Sequence, residues 1–277
     1  MSKPLVSDKL WQLIEPLIPK KKRRRDHPGR NRLDDRKVLT GILFVLKTGI
    51  PWEDLPSELG AGSGMTCWRR LHEWNRHGVW RKLQKLILQE LECAHKINWE
   101  RAVIDSSTVR AMHRGYKTGP SPVDRRKYGS KRHLLSDGRG RQLNARLTKA
   151  NTNDITQLKA LVVNRPDVTC PKTTDSKGRP RKRRSQRPRK PKQLYGDRGY
   201  DSEKHRAWLR QQGITPKLAR RNTPHGSGLG RYRYVIETDF ARMNQQRELR
   251  IRDTRKASTY QIMLSVFGIL LNLSFLT

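Results

Sequence analysis

The stretch KYGSKRHLLSDGRGRQLNARLTKA, residues 127–150, constrains the fold more than any other part of the chain. Asp137-Gly138, inside SDGRG, is a strong hairpin signal, so the flanking residues read as two antiparallel strands. The segment WERAVIDSS (99–107) reads as a strand before them, with Ala102, Val103 and Ile104 leading into Asp105 and Ser106. After the hairpin, Asp154 reads as the cap of a helix carrying Ile155, Leu158, Leu161 and Val162 at helical spacing. A strand QLYGD, a helix EKHRAWLRQQ stopped by Gly213 and a strand ITPKLA follow. A long helix from near Arg233 then runs through YVIETDFARMNQQRELRIR. Three strands in a meander, then strands separated by helices, give an α/β mixed sheet with helices packed on it.

The first part of the chain is helical. Ser7 caps a helix with Leu10, Leu13, Ile14 and Leu17 on one face, ended by Pro19. A second helix starts at Asp34, buries Val38, Ile42, Val45 and Leu46, and stops at Gly49 and Pro51. A third spans MTCWRRLHEWNRHGVWRKLQKLILQELE (65–92) with a break at Gly78. This order suggests a helix-turn-helix arrangement, although any small helical bundle reads the same way. Trp68, Trp74 and Trp80 read as core anchors, and Arg69, Arg70 and Arg76 are the candidates for facing a nucleic acid. The pattern divides the chain into a helical region at 1–96 and an α/β region at 97–277, with a basic loop near 171–192.

Composition then says what such a fold meets. A formal net charge of +36 and a pI near 11.1 attract polyanions, nucleic acid first. The basic runs KKKRRRDHPGRNR and PKTTDSKGRPRKRRSQRPRKPK have no periodicity and read as loops. Cys67, Cys93 and Cys170 are odd in number and lack CxxC spacing, so neither a disulfide frame nor a structural zinc site is expected. The apolar end QIMLSVFGILLNLSFLT is short for a membrane span and contains Asn272, which favours a buried helix. The N-terminal apolar stretch precedes the basic run and is broken by Glu15 and Pro16, unlike a signal peptide.

Within this basic chain three acids stand out. Asp105 falls at the end of the first strand, Asp197 at the end of the fourth, and Glu237 on the long helix after the fifth. Converging carboxylates repel one another unless cations lie between them. Mg²⁺ takes such oxygen donors, and a pair of ions serves phosphoryl transfer. The structural alternatives are a backbone cap at Asp105, a turn before Gly199 at Asp197, and a pairing of Glu237 with Arg233 or Arg242.

The motifs VIDSSTVRA, ANTNDITQL, GDRGYDS and VIETDFARMNQQRELRIR resemble those of bacterial insertion-sequence transposases of the DDE class, the IS-five type group being closest. LWQLIEPLIP, HPGRNRLDDRKVLTGILFVLKTGIPWEDLP and TCWRRLHEW resemble that group's N-terminal region, so the likeness spans nearly the whole chain. It implies a ribonuclease H-like catalytic fold and puts Asp105, Asp197 and Glu237 in the catalytic, metal-holding role. Two Mg²⁺ ions, with Mn²⁺ able to substitute, are implied as cofactors. Cleavage and strand transfer at terminal inverted repeats are the implied activity. The implied partners are double-stranded transposon ends and target DNA. A homodimer or larger assembly working on the bacterial nucleoid in the cytoplasm, away from membranes, is also implied. Lys131 and Arg198 are expected to contact phosphates near the site, and Arg247, Arg250 and Arg252 keep the family's downstream basic positions. The family's usual Arg after the catalytic Glu is Thr238 in this chain. That departure keeps a competing reading open, a catalytically inactive or repurposed DNA-binding protein. A simple nuclease would cut without end specificity, and an RNA binder usually presents stacking aromatics, which are only 6% of this chain.

Overall fold

The computed structural model describes residues 4–20, 26, 31–170, 189–222 and 230–276. The basic segment at 171–188 and most of the run at 20–32 lie outside the described residues.

Four helices come first: α1 (Asp8–Ile14), α2 (Asp35–Thr48), α3 (Gly64–Arg76) and α4 (Val79–Cys93). Ser7 caps α1 through the Leu10 amide, Asp34 caps α2 through the Lys37 amide, and left-handed Gly49 ends α2. The expected third helix is indeed two, because Gly78 takes φ 70° between α3 and α4. The expected pattern of Trp74 and Trp80 as core anchors holds; both are buried, with ring centroids 5.7 Å apart.

The sheet contains β1 (Arg101–Arg110), β2 (Gly119–Pro120), β3 (Tyr128–Asp137), β4 (Gln142–Lys149), β5 (Gln193–Gly196) and β6 (Thr215–Leu218). β3 runs antiparallel to β1 on one side and to β4 and short β2 on the other. β5 pairs parallel with β1, and β6 parallel with β5. An antiparallel meander joined to two parallel strands, with helices α5 (Ile155–Val163) and α6 (Glu203–Gln211) between them, is the expected ribonuclease H-like order. Asp137 builds the hairpin turn: its carboxylate accepts from the amides of Asn98, Arg139 and Arg141.

The expected long helix is broken. α7 (Gly230–Asn244) ends before Gln245-Gln246, and a single turn α8 (Arg247–Arg250) follows. The apolar end is α9 (Ala257–Leu273), packed between β4 and α4 and buried along most of its length. Its two amide side chains cover the open edge of β4. Gln261 accepts from Leu147 N at 2.9 Å and donates to Ala145 O at 3.1 Å. Asn272 likewise accepts from Gln142 N and donates to Gln142 O, both at 2.9 Å. Unpaired strand groups are thereby satisfied inside an apolar layer. Among the described residues no helix is long and apolar enough to cross a membrane. Buried apolar residues from Val6 to Leu273 form one contiguous cluster that includes both the N-terminal helices and the sheet.

One feature corrects the sequence reading, and a buried acid adds a pH dependence. Cys93 and Cys170 form a disulfide, with Cα atoms 5.4 Å apart across 77 residues of sequence. Their proximity comes from the fold: the end of α4 meets the segment after α5, where Gln89 also donates to Thr169 O at 3.1 Å. Glu248, on α8, is buried, and burial followed by the nearby charge of Asp253 pushes its carboxyl to about 8. The unfolded chain releases this proton above the ordinary glutamate value of 4.5, while the folded chain keeps it to about 8. Stability attributable to Glu248 therefore falls as pH rises through that window. Replacing Glu248→Gln is expected to stabilise the protein at pH 8.5 by roughly 2–4 kcal/mol and to change little at pH 4, read from urea melts at both pH values.

Candidate active site

β1 and β5 bring two of the three acids together. Their parallel register runs through Val103 and Tyr195; carried two residues further it sets Asp105 opposite Asp197, just past the end of β5, and the Asp197 charge acts on Asp105. Side chains two residues apart share a face of the sheet. Asp105 is mid-strand rather than at the strand end, because β3 continues to pair β1 as far as Arg110. It is the pairing with β5 that stops short of Asp105. Asp197 opens a 3₁₀ turn (Arg198–Tyr200), its Oδ1 accepting from Gly199 N at 2.9 Å. A β-carbon at Gly199 would lie 3.0 Å from Asp197 Oδ1 and 3.4 Å from Asp154 Oδ2, so a side chain there would crowd both carboxylates.

Arg233 on α7 links this pair to the third acid. Its Nη2 donates to Asp105 Oδ2 at 2.7 Å, and Ser106 N donates to Asp105 Oδ1 at 2.8 Å. Burial pushes the Asp105 carboxyl up; Arg233 pulls it back and Asp197 adds to the rise. Burial lowers the Arg233 guanidinium, but Asp105, Asp197 and Glu237 together hold it above its ordinary value. One cation thus answers three carboxylates. Arg233 and Glu237 are four residues apart, so they share a face of α7, which packs on β1, β3 and β5. Glu237 itself is exposed. Among the described residues no three His, Cys, Asp or Glu side chains stand in a metal-ligand arrangement. The donor chemistry still fits a hard divalent cation: carboxylate oxygens whose repulsion already requires a positive charge between them, met in this structure by Arg233.

Asp154 does more than the sequence assigned to it. Its side chain makes no cap bond to α5; Asn153 Oδ1 accepts from Ile155 N instead. The Asp154 carboxylate turns to the site, accepting from Ser106 Oγ and from the Lys131 ammonium, each at 2.9 Å. His133 Nδ1 stands 3.7 Å from the same oxygen, and burial pushes that imidazole down to about 4 despite the carboxylate. Fully buried Tyr200 lies beneath the group. Burial first, then the charges of Asp154, Asp105 and Asp197, push its phenol well above the usual range. Sequence reading missed Arg233 as the shared cation and Tyr200 as the floor, although both occur within or beside the quoted motifs.

The expected DNA-facing cations separate into two groups. Arg69 and Arg76 are exposed on α3, and Arg247 and Arg250 on α8. Arg198, beside Asp197, is half-buried. Arg70 is instead buried, ion-paired with Asp35 and with Glu73, because the fold closes α3 onto the start of α2. Lys131 is held inward by Asp154 and by Thr152 O at 2.9 Å. Arg252 is fully buried. Thr238 is exposed and donates to Tyr234 O at 2.9 Å, so it bonds its own helix and none of the acids.

A family model described as the transposase DDE domain matches residues 100–273. The chain belongs to that transposase family. A second model, for candidate transposases of the IS4/5 family, matches residues 6–84. An uncharacterized 16.2 kDa protein of insertion element IS402 from Burkholderia cepacia is 54% identical over 123 residues, 44% of this chain and 84% of its own length. A candidate transposase of insertion sequence IS402 from the same organism is 45% identical over 150 residues, 54% of this chain and 65% of its own. A crystal structure of the Mos1 strand transfer complex aligns with 97% of this chain and 83% of its own, at 12% identity and a TM-score of 0.31. A likeness at that level carries no functional argument.

Proposed function

We propose that this transposase-family chain binds the terminal inverted repeats of an insertion sequence and catalyses metal-dependent strand cleavage and strand transfer. The observation that carries the reading is the pairing of β1 with β5, which brings Asp105 near Asp197 just past the end of β5, with Asp105 bonded to Arg233 on the helix that bears Glu237. In this reading Asp105, Asp197 and Glu237 would hold two Mg²⁺ ions, or Mn²⁺ in their place, whose charge would stabilise the attacking and leaving oxygens of phosphoryl transfer.

The chain's own residues supply the rest. Ser106 N fixes one oxygen of Asp105 and leaves the other to Arg233. The Gly199 amide fixes Asp197 Oδ1, so both carboxylates are held before DNA arrives. In the first step water forms a bond to phosphorus, the bond to the 3′-oxygen breaks, and a 3′-hydroxyl is released. In the second, that hydroxyl forms a bond to a target phosphorus and displaces the target's own 3′-oxygen. Both steps are displacements at phosphorus, so one set of carboxylates serves both. Exposed Arg69 and Arg76 on α3 are suited to DNA contact, with Arg247 and Arg250 adding phosphate affinity. Two ends handled together require a dimer or larger assembly.

The test is cutting and joining of duplexes that carry the flanking inverted repeats, with Mg²⁺ or Mn²⁺ and with chelator. The reading expects metal-dependent cleavage confined to the ends, followed by joining. Tight, salt-sensitive binding without cutting would leave the inactive DNA-binding reading that Thr238 raises.

A further inference from the structure

The chain between β1 and β3 forms an exposed, basic projection that the acid site does not use. Residues 112–128 show Met112, Tyr116, Val123 and Tyr128 to solvent, Tyr116 and Val123 at 74% and 78% exposure. Arg114, Arg125, Arg126 and Lys127 are exposed beside them, with Asp124 the one acid in the segment.

This projection is built rather than loose. Arg252 is fully buried under it and donates to Tyr116 O at 2.7 Å, Lys117 O at 3.3 Å and Ser130 Oγ at 2.6 Å. The same guanidinium reaches Thr254 O at 3.0 Å and Arg255 O at 2.9 Å, pinning the base of the loop to the chain after α8. Gly115 takes φ 108°, and a β-carbon on it would stand 2.4 Å from Arg255 O. The Arg114 guanidinium lies over the Tyr128 ring, 4.3 Å from its centre.

The backbone is also held in costly conformations. Among the described residues six non-glycine positions have positive φ, and four of them, Arg114, Lys117, Arg125 and Arg126, are in this segment. Asn or Gly would occupy such positions with less strain. All four are basic instead. Three of them, Arg114, Arg125 and Arg126, are exposed, and strain kept at charged, exposed positions points to a use outside the fold.

We propose that this projection is a DNA-backbone clamp, distinct from the acid site, that grips the duplex on one side of the scissile phosphate. The inference rests on the transposase reading above. Cations with a single acid fit a polyanion such as the phosphate backbone, to which Arg and Lys make most contacts. Asp105 and Ala111 are six residues apart along and just beyond β1, about 20 Å of strand. That is about six base pairs of B-DNA, less than one helical turn. With the duplex lying along β1, the clamp meets backbone about six base pairs from the bond being cut.

The test replaces Arg125→Gly and Arg126→Gly together in the full chain and measures duplex affinity by fluorescence anisotropy across salt, with thermal melts and sedimentation on the same samples. Glycine suits positive φ, so the fold should melt no lower than wild type. Removing two phosphate contacts should weaken the slope of log K against log salt by about two and cut affinity at moderate salt by roughly ten-fold or more. Backbone ethylation interference should lose its signal about six base pairs from the cleaved bond. An unchanged salt slope in a protein whose wild type binds DNA overturns the clamp and leaves the transposase reading standing. A change in sedimentation with no change in slope also overturns it, in favour of contact between copies. Wild type that binds no DNA at any salt contradicts the transposase reading itself.

Discussion

Replacing Asp197→Asn is expected to reduce end cleavage and joining by at least about a thousandfold, roughly 4 kcal/mol of transition-state stabilisation. Affinity for the same duplex should stay level or rise. The amide oxygen of Asn can still accept from Gly199 N, so the 3₁₀ turn and the β5 end keep their shape. What disappears is a full negative charge facing Asp105. Removing that charge lowers repulsion at the site and against incoming phosphate, so the folded state and the DNA-bound state both tolerate the change. Single-turnover cleavage of end duplexes, alongside anisotropy on the uncut duplex, separates the two effects. A variant that binds normally and still cuts at a wild-type rate would remove Asp197 from the chemistry.

The second large effect belongs to a residue far from any reacting bond. Arg252 is buried with five acceptors and no carboxylate partner: three loop and turn carbonyls, one further carbonyl and the Ser130 hydroxyl. Arg252→Ala strips all of them at once inside a closed site and leaves a cavity under the β1–β3 projection. Unsatisfied buried acceptors and lost packing together are expected to cost about 4 kcal/mol. Arg252→Lys should rescue little, because an ammonium presents three donors from one point and cannot span the fork's acceptors. Urea melts read the global loss. Limited chymotrypsin digestion should show earlier cutting at Tyr116 and Tyr128 in both variants, since the loop loses its anchor before the sheet unfolds.

Local chemistry made much of this molecule readable from sequence. Asp137-Gly138 announced the β3–β4 hairpin because turn geometry depends on the turn residues themselves. Ser7, Asp34 and Gly49 announced helix ends for the same reason. The alternation and helical spacing downstream gave the strand and helix order, with Asp105 and Asp197 at the ends of its first and fourth strands; that these two strands are neighbours came only from the sheet pairing. What stayed hidden were relations set across the fold. Whether Arg70 faced solvent depended on Asp35, thirty-five residues earlier, and whether Lys131 was available depended on Asp154. Asp154 looked like a cap because its position before an apolar helix is shared by caps; its carboxylate was claimed instead by Ser106 on β1 and Lys131 on β3. The extra length of β1 came from pairing with β3, and the Cys93–Cys170 disulfide from the meeting of α4 with the segment after α5. Arg233 was legible only as a helix partner of Glu237, since its bond to Asp105 and its place among three acids are set by the fold.

The central claim is that Asp105, Asp197 and Glu237 form one divalent-metal site. Paramagnetic titration of Mn²⁺ into the protein bound to uncut end duplex, compared with Asp105→Asn, Asp197→Asn and Glu237→Gln, tests it without relying on turnover. The account predicts that each substitution weakens Mn²⁺ binding by roughly ten-fold or more, since each removes one charged oxygen ligand. Wild-type binding that is unchanged in all three variants would contradict it.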